Sequence, residues 1–345
     1  MMSTTSYAVS AKARAKYGRF LSEHDYEGIL ACQSVAEVIA YLKTYTHFAP
    51  VLSGVDEREV HRGRLEALLR QYQFSEFDSL CRYDSSVSEG FSRYIIERAE
   101  VEQIVHFIVL LNARSADQFF FRFPAFLAKH TELDFEHLAT VRDYSGFLET
   151  VSRSPYYEIL KKFHPDSKGR LPVAAIENKL YELVLQHMIE FINKKTTGSE
   201  RQELTEIFKK LNDYRMISRI IRLKRYYHMS PDEIRATVNP QISGLSPKLI
   251  DAMCEAETAE DVYRIVNETK YGRLISRAGS DYQGDIGPRV QYQIARQKLH
   301  FSNNPSVVMI SFMFLSETEL MNVVCLIEGV RYQVDPKTIR SMLIH

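Results

Sequence analysis

The sequence predicts a nearly all-α protein built of three similar units, on three observations. Polar helix caps recur along the whole chain. Hairpin dipeptides of the Asn-Gly or Asp-Gly kind are absent, and strict apolar–polar alternation over several residues is rare. A common pattern also echoes three times at intervals of roughly 106 to 115 residues, too long for a solenoid repeat and right for a small domain.

Taken in chain order, the first element is a helix. Tyr7, Ala11, Ala15 and Gly18 fall at helical spacing. The stretch holding Lys12, Arg14, Lys16 and Arg19 therefore reads as a basic helix face rather than a transit peptide. The capped starts Ser34-Val-Ala-Glu37, Asp143-Tyr-Ser-Gly146 and Thr258-Ala-Glu-Asp261 then open apolar runs. Each run closes in an aromatic-bearing turn, at His47-Phe48, Tyr156-Tyr157 and Tyr271-Gly272. Ser34 to Glu37 and Ser230 to Glu233 have capping-box spacing. Ser154-Pro155, Ser230-Pro231, Ser246-Pro247 and Asp335-Pro336 each place a cap before a proline at the first helical position, where its missing N–H costs nothing.

Longer amphipathic helices are expected over 57–74, 173–192 and 288–300. Turn-forming clusters are short, at 84–88, 164–169, 196–199 and 279–284. A final helix in each unit carries an acid and, twelve residues later, an arginine: Glu102 and Arg114, Asp213 and Arg225, Glu319 and Arg331. Between them Val109/Leu110, Ile220/Ile221 and Leu326/Ile327 lie in register. Twelve residues of helix set the two side chains about 120° apart, so each must bond elsewhere, as an anchor at one end of the helix. The apolar run 307–315 reads as helix in that register. Boundaries near 115 and 230 give units 1–115, 116–230 and 231–345. No linker between them is rich in Pro, Gly or Ser, so the units are expected to pack rather than swing.

A chain of 345 residues with 45% hydrophobic content can bury a large core. Lys+Arg and Asp+Glu balance at 44 each, so no global field draws it to nucleic acid or an anionic membrane. Cys32, Cys81, Cys254 and Cys325 are too scattered for a disulfide framework or a zinc site, which points to a reducing cytosol. No apolar run approaches the roughly 20 residues of a spanning helix, and 307–315 is half that length. No direct membrane span is expected.

Catalytic signatures are lacking. The chain has no G-x-x-x-x-G-K-[ST], no G-x-G-x-x-G and no H-E-x-x-H, so no cofactor is expected. His130 and His137 could share a helix face with Glu136, but without a third convergent ligand they read as surface histidines. Cys325, inside an apolar run, reads as a small core residue. The cluster 119–123 reads as core at a domain junction. The sharpest charge feature is Lys209, Lys210, Arg215, Arg219, Arg222, Lys224 and Arg225 against the single acid Asp213. Arg215, Arg219 and Arg222 follow i, i+4, i+7, one basic stripe on a helix. Such a stripe is either a solvated face or a landing site for an acidic protein partner. Nucleic acid is the weaker alternative on a neutral chain.

Two stretches bring a family with them. The opening 7–21, with Asp25-Tyr26 and the helix at Ser34, is similar to the start of the C-type subunits of bacterial and archaeal V/A-type rotary ATPases, whose eukaryotic counterparts are the d-type subunits. The end is more specific: Phe301-Ser-Asn-Asn-Pro305, Ser316-Glu-Thr-Glu319 and Asn322 through Glu328-Gly-Val-Arg-Tyr332. This resembles the family's acid, Asn and apolar run into Glu-Gly-hydrophobic-Arg-Tyr. The first unit departs from it, with Gln103 near the place of the Asn. The resemblance spans essentially the whole length. It implies a funnel of three helical domains about a pseudo-threefold axis and a non-catalytic role. It also implies two partners, the central shaft subunits and the membrane proteolipid (c-type) ring, met on the cytoplasmic side as a peripheral component. On that reading Lys209, Lys210, Arg215, Arg219 and Arg222 are the candidate shaft interface, and exposed apolar helix ends would dock on the ring. The competing reading is an all-α adaptor that binds an acidic protein through 209–225.

Overall fold

The computed structural model describes residues 4–57, 60, 62–82, 85–118, 131, 133–277 and 287–345, and no strand occurs among them. The expected cluster at 119–123, His130 and the turn at 279–284 lie outside the described residues. One compact unit combines Met1–Val87 with Thr196–His345; the other is Ser88–Lys195.

The larger unit is organised by helix Pro305–Arg331, which is buried on nearly every side. Its 27 residues include a stretch long and apolar enough to cross a membrane, yet most of that stretch lies inside the protein. The sequence hides this length because Ser311, Ser316, Thr318 and Glu319 interrupt the apolar letters without interrupting the helix. Helices Thr4–Tyr17, Arg62–Cys81 and Gly287–Phe301 pack on it. At its far end Val323, Leu326, Ile327 and Val330 share one core with Tyr26, Ile29, Val38, Leu42 and Leu65 from the start of the chain. Each such side chain, fully buried, contributes roughly 1.5–3 kcal/mol. In the smaller unit Phe107 stacks on Phe147, ring centroids 5.2 Å apart, and the Asn112 amide grips the backbone N–H and C=O of Leu171, both at 2.9 Å.

Most helix starts follow the sequence. Ser34, Asp143, Ser230, Ser246, Thr258 and Asp335 each accept a backbone N–H at their helix. Ser154 does not cap. Its hydroxyl donates to the Val151 carbonyl and accepts from Tyr156 N–H, which makes a turn, and the helix begins later, at Tyr157–Leu160. The first long amphipathic helix runs over Arg62–Cys81, later than expected. The N-terminal helix buries Val9 and Ala13, whereas Tyr7, Ala11 and Ala15 face solvent, so their helical spacing marks the outer face.

Close approach constrains Gly329 and Gly272, among others. At Gly329 a Cβ would stand 2.5 Å from Ile339 Cδ1, so the Glu-Gly step of the terminal motif admits the last helix, Pro336–Met342. At Gly272 it would stand 2.3 Å from the Asn267 Cα, a backbone atom that cannot swing aside. Gly272→Ala should lower unfolding free energy by about 1–3 kcal/mol in urea titration. Gly54→Ala, with open space around it, should stay within about 0.5 kcal/mol.

Candidate functional site

The polar features of this helical body centre on buried carboxylates. Asp213, on helix Gly198–Arg222, is fully buried. It accepts from the Ser243 hydroxyl at 2.5 Å, the Gly244 N–H at 3.0 Å and the Tyr271 hydroxyl at 2.7 Å. Glu319, on the central helix, accepts from Leu21 N–H at 2.8 Å and pairs with His47 Nε2 at 3.0 Å. Glu100, on helix Ser85–Asn112, accepts from the Tyr156 hydroxyl at 2.5 Å and from the Thr131 hydroxyl. The aromatic turns found in the sequence are therefore the donors. Each long helix is latched by the turn of the next capped segment along the chain, and the last is latched by the first.

In the Glu100 latch the helix face differs by two residues from the expected register of Glu102 and Val109/Leu110. The acid held by the aromatic turn is Glu100, buried one turn after the likewise buried Glu97, and Glu102 is exposed; Phe107 and Ile108 are buried whereas Val109 is 46% exposed. Two residues of helix turn a side chain by about 200°, so a shift of two exchanges the inner and outer faces. In the corrected register Gln103 stands three residues after Glu100, as Asn322 stands after Glu319. As expected from the twelve-residue spacing, acid and arginine do not meet. Arg225 pairs with Glu260 at 2.7 Å, and Arg331 approaches Glu328 at 4.0 Å.

The His47 latch opens onto a recess lined by Lys16, Arg19, Tyr72, Glu76 and Ser316. Lys16 Nζ bonds Glu76 at 2.5 Å, and His47 Nδ1 lies 3.4 Å from the Tyr72 hydroxyl. Burial, with Glu76 adding to it, pushes the Tyr72 phenol up to about 12. These groups are engaged with one another and nearly balanced in charge, the features of a structural lock. Cys254 and Cys325 thiols are likewise pushed up by burial, which suits packing residues. Among the described residues no group of three or more His, Cys, Asp or Glu could hold a metal, and His137 sits exposed on the short helix Phe135–Leu138.

The basic stripe lies on helix Gly198–Arg222 and its continuation. Lys210 pairs with Glu206 at 2.6 Å, and Arg219 donates to the Thr237 carbonyl at 2.9 Å. Lys224 is buried, donating to the Cys254 carbonyl at 2.7 Å. Lys209 is half-buried near Gly244, and Arg215 and Arg222 are exposed. The spacing placed the charges on one helix; it gave no sign of which ones the fold itself uses.

A model of the ATP synthase (C/AC39) subunit family matches residues 9–342. The chain belongs to this family. It is thus a component of a rotary ATPase, an assembly bound to a membrane. No curated protein sequence matches it significantly. The motif residues of this family member have physical roles. The Asn322 amide clamps the backbone of Ile344 from both sides, at 2.8 and 2.9 Å, and donates to the Tyr26 hydroxyl at 3.1 Å. Asn304 donates to Glu203 at 2.6 Å, while Lys298 reaches the same carboxylate at 2.9 Å. The Ser-Asn-Asn-Pro turn thereby ties two helices of the last segment to helix Gly198–Arg222.

Two measurements test the latches. Glu100→Ala leaves two hydroxyls without their acceptor and should cost about 1–3 kcal/mol, whereas Glu102→Ala should stay within about 0.5 kcal/mol. The second concerns pH. Burial raises the Asp213 carboxyl above the usual carboxylate range, outweighing its Ser243, Tyr271 and Gly244 donors. The folded protein therefore holds this proton more tightly than the unfolded chain does. The contribution is greatest below the unfolded pKa and is lost as pH rises through the folded one. Urea unfolding of Asp213→Asn should show a flatter decline than wild type as pH rises from about 4. Parallel curves would contradict the assignment.

Proposed function

We propose that this protein is a non-catalytic rotor element of the V/A-type ATPase. It acts as the socket between the central shaft and the membrane ring of c-type proteolipids, on the cytoplasmic side. It would pass torque between ATP hydrolysis or synthesis and the movement of protons or sodium ions. The observation that carries this reading is the set of buried carboxylate latches. A torque-bearing spacer must not shear, and hydrogen bonds to acids sequestered from water are costly to break and tolerate little displacement. Three like segments, 1–115, 116–230 and 231–345, are the natural way to surround a shaft, and the recurrence of the latch in all three supports that division.

Lys209, Lys210, Arg215, Arg219 and Arg222 are the proposed shaft-facing residues, with an acidic shaft tip as their partner. Exposed apolar helix ends such as Phe301 suit a contact with the ring. Triple reversal of Arg215, Arg219 and Arg222 to Glu should weaken binding to the purified shaft subunits by about tenfold or more at low salt. The difference from wild type should shrink as salt screens it. Unchanged affinity with unchanged salt dependence would exclude this face.

A further inference from the structure

The three acid-bearing helices end alike. Among the described residues Arg114, His228 and Gln333 are the non-glycine positions with positive φ, at 57°, 49° and 52°. After each, the next N–H turns back onto the helix. Ser115 reaches Leu110 and Val334 reaches Gly329, five residues earlier and both at 2.9 Å; Met229 reaches Leu223, six residues earlier, at 3.5 Å. Counted from the buried acid, the left-handed residue comes 14 positions after Glu100 and after Glu319, but 15 after Asp213. The middle helix holds one residue more, and the π-helical turn Leu223–Tyr227 absorbs it.

A π turn amounts to a one-residue insertion in an α-helix, and such turns occur disproportionately at functional sites. Here the consequence lies on the surface. Lys224 is turned inward, and Arg225 is held by Glu260 and lies over the Tyr263 ring. Tyr226 and Tyr227 stand out, 64% and 65% exposed. The third helix offers the single tyrosine Tyr332 at the matching end, and the first offers Ala113. One turn before Tyr226 is Arg222, exposed, its side chain in no hydrogen bond or ion pair among the described residues. Tyr226 lies within the π turn that directly follows the i, i+4, i+7 stripe of Arg215, Arg219 and Arg222.

We infer that Tyr226, Tyr227 and Arg222 form the aromatic anchor of the interface at the end of the basic helix, and that the inserted residue exists to present it. The inference rests on the shaft-socket reading. Tyrosine and arginine together supply large contact area and directional hydrogen bonds, and they dominate the energetics of protein interfaces. The positive stripe leading to the pair selects its occupant, a helical shaft tip that carries carboxylates around an apolar patch.

The test uses the full chain and the purified shaft subunits, with thermal melting of every variant alongside. Tyr226→Ala/Tyr227→Ala should raise Kd at least tenfold with the salt slope unchanged, while Tyr226→Phe/Tyr227→Phe retains most of the affinity. Excising Tyr227 restores the 14-residue count. It should preserve the melting temperature and still weaken binding. Alanine and excision variants that melt and bind like wild type, beside an arginine reversal that loses affinity, would overturn the anchor and leave the socket intact. A wild-type chain that does not bind the shaft would overturn both.

Discussion

A carboxylate carried into an apolar helix interface has to find donors there, because removing an unpaired charge from water costs more than a small domain can spare. Asp213, Glu319 and Glu100 each sit on the inner face of a long helix, and each finds its donors at the same two places on another stretch of chain. One is the backbone or hydroxyl just before a capped helix; the other is the aromatic turn that follows. The positions of the short helices follow from this requirement. The caps at Ser22, Asp134 and Ser246 and the turns at His47, Tyr156 and Tyr271 are held where the carboxylate needs them. Apolar packing supplies most of the stability, but it is tolerant of small slides. The hydrogen-bonded acid is not, and it sets the register in which helices meet.

The third latch is built differently from the other two. Thr46 donates to Leu42 and accepts from the Phe48 N–H, just as Ser154 does for Tyr156 and Thr269 for Tyr271. By that backbone register Phe48, which has no polar atom, occupies the tyrosine position. The neighbouring His47 supplies the contact to Glu319 instead, with Phe20 stacked on its ring at 5.7 Å. This is the latch that joins the start of the chain to its last long helix. It draws in Lys16, Arg19 and Glu76, so the closure that spans the greatest sequence separation also carries an ion-pair network beside it.

Local chemistry was legible in the sequence, and long-range chemistry was not. The caps at Ser34, Asp143, Ser230, Ser246, Thr258 and Asp335 follow from residues within one turn of helix, and they stand as expected. The aromatic turns were visible for the same reason. Which acid meets the aromatic turn is not decided locally in helix Ser85–Asn112. Glu97, Glu100 and Glu102 lie within six residues, and 107–110 is apolar throughout, so several helical phases bury comparable area. Only Tyr156 and Thr131, remote in sequence, choose Glu100. The basic stripe failed in a related way. Spacing shows that Lys210, Arg219, Lys224 and Arg225 share a helix, but Glu206, Thr237, Cys254 and Glu260 decide which charges the fold retains.

The extra residue in the middle helix shows how a repeated architecture can acquire a distinctive face at small cost. An insertion in an ordinary α-helix would rotate everything after it by about 100° and carry the left-handed cap residue away from its carbonyl partners. A π turn confines the change to five residues, so the cap at His228 and the next N-cap at Ser230 keep the spacing found at Gln333 and Asp335. The core upstream is undisturbed as well, since Ile217, Ile220 and Ile221 are buried as Leu326 and Ile327 are in the third helix. What changes is the surface beyond Arg222, where one helix end bears two exposed tyrosines instead of one or none. A body whose repeats were alike would present a shaft with equivalent grips, and nothing would fix the angle at which it sat. On the proposed shaft-socket reading, a single asymmetric grip, placed without loosening the latches, would give the angle a definite value.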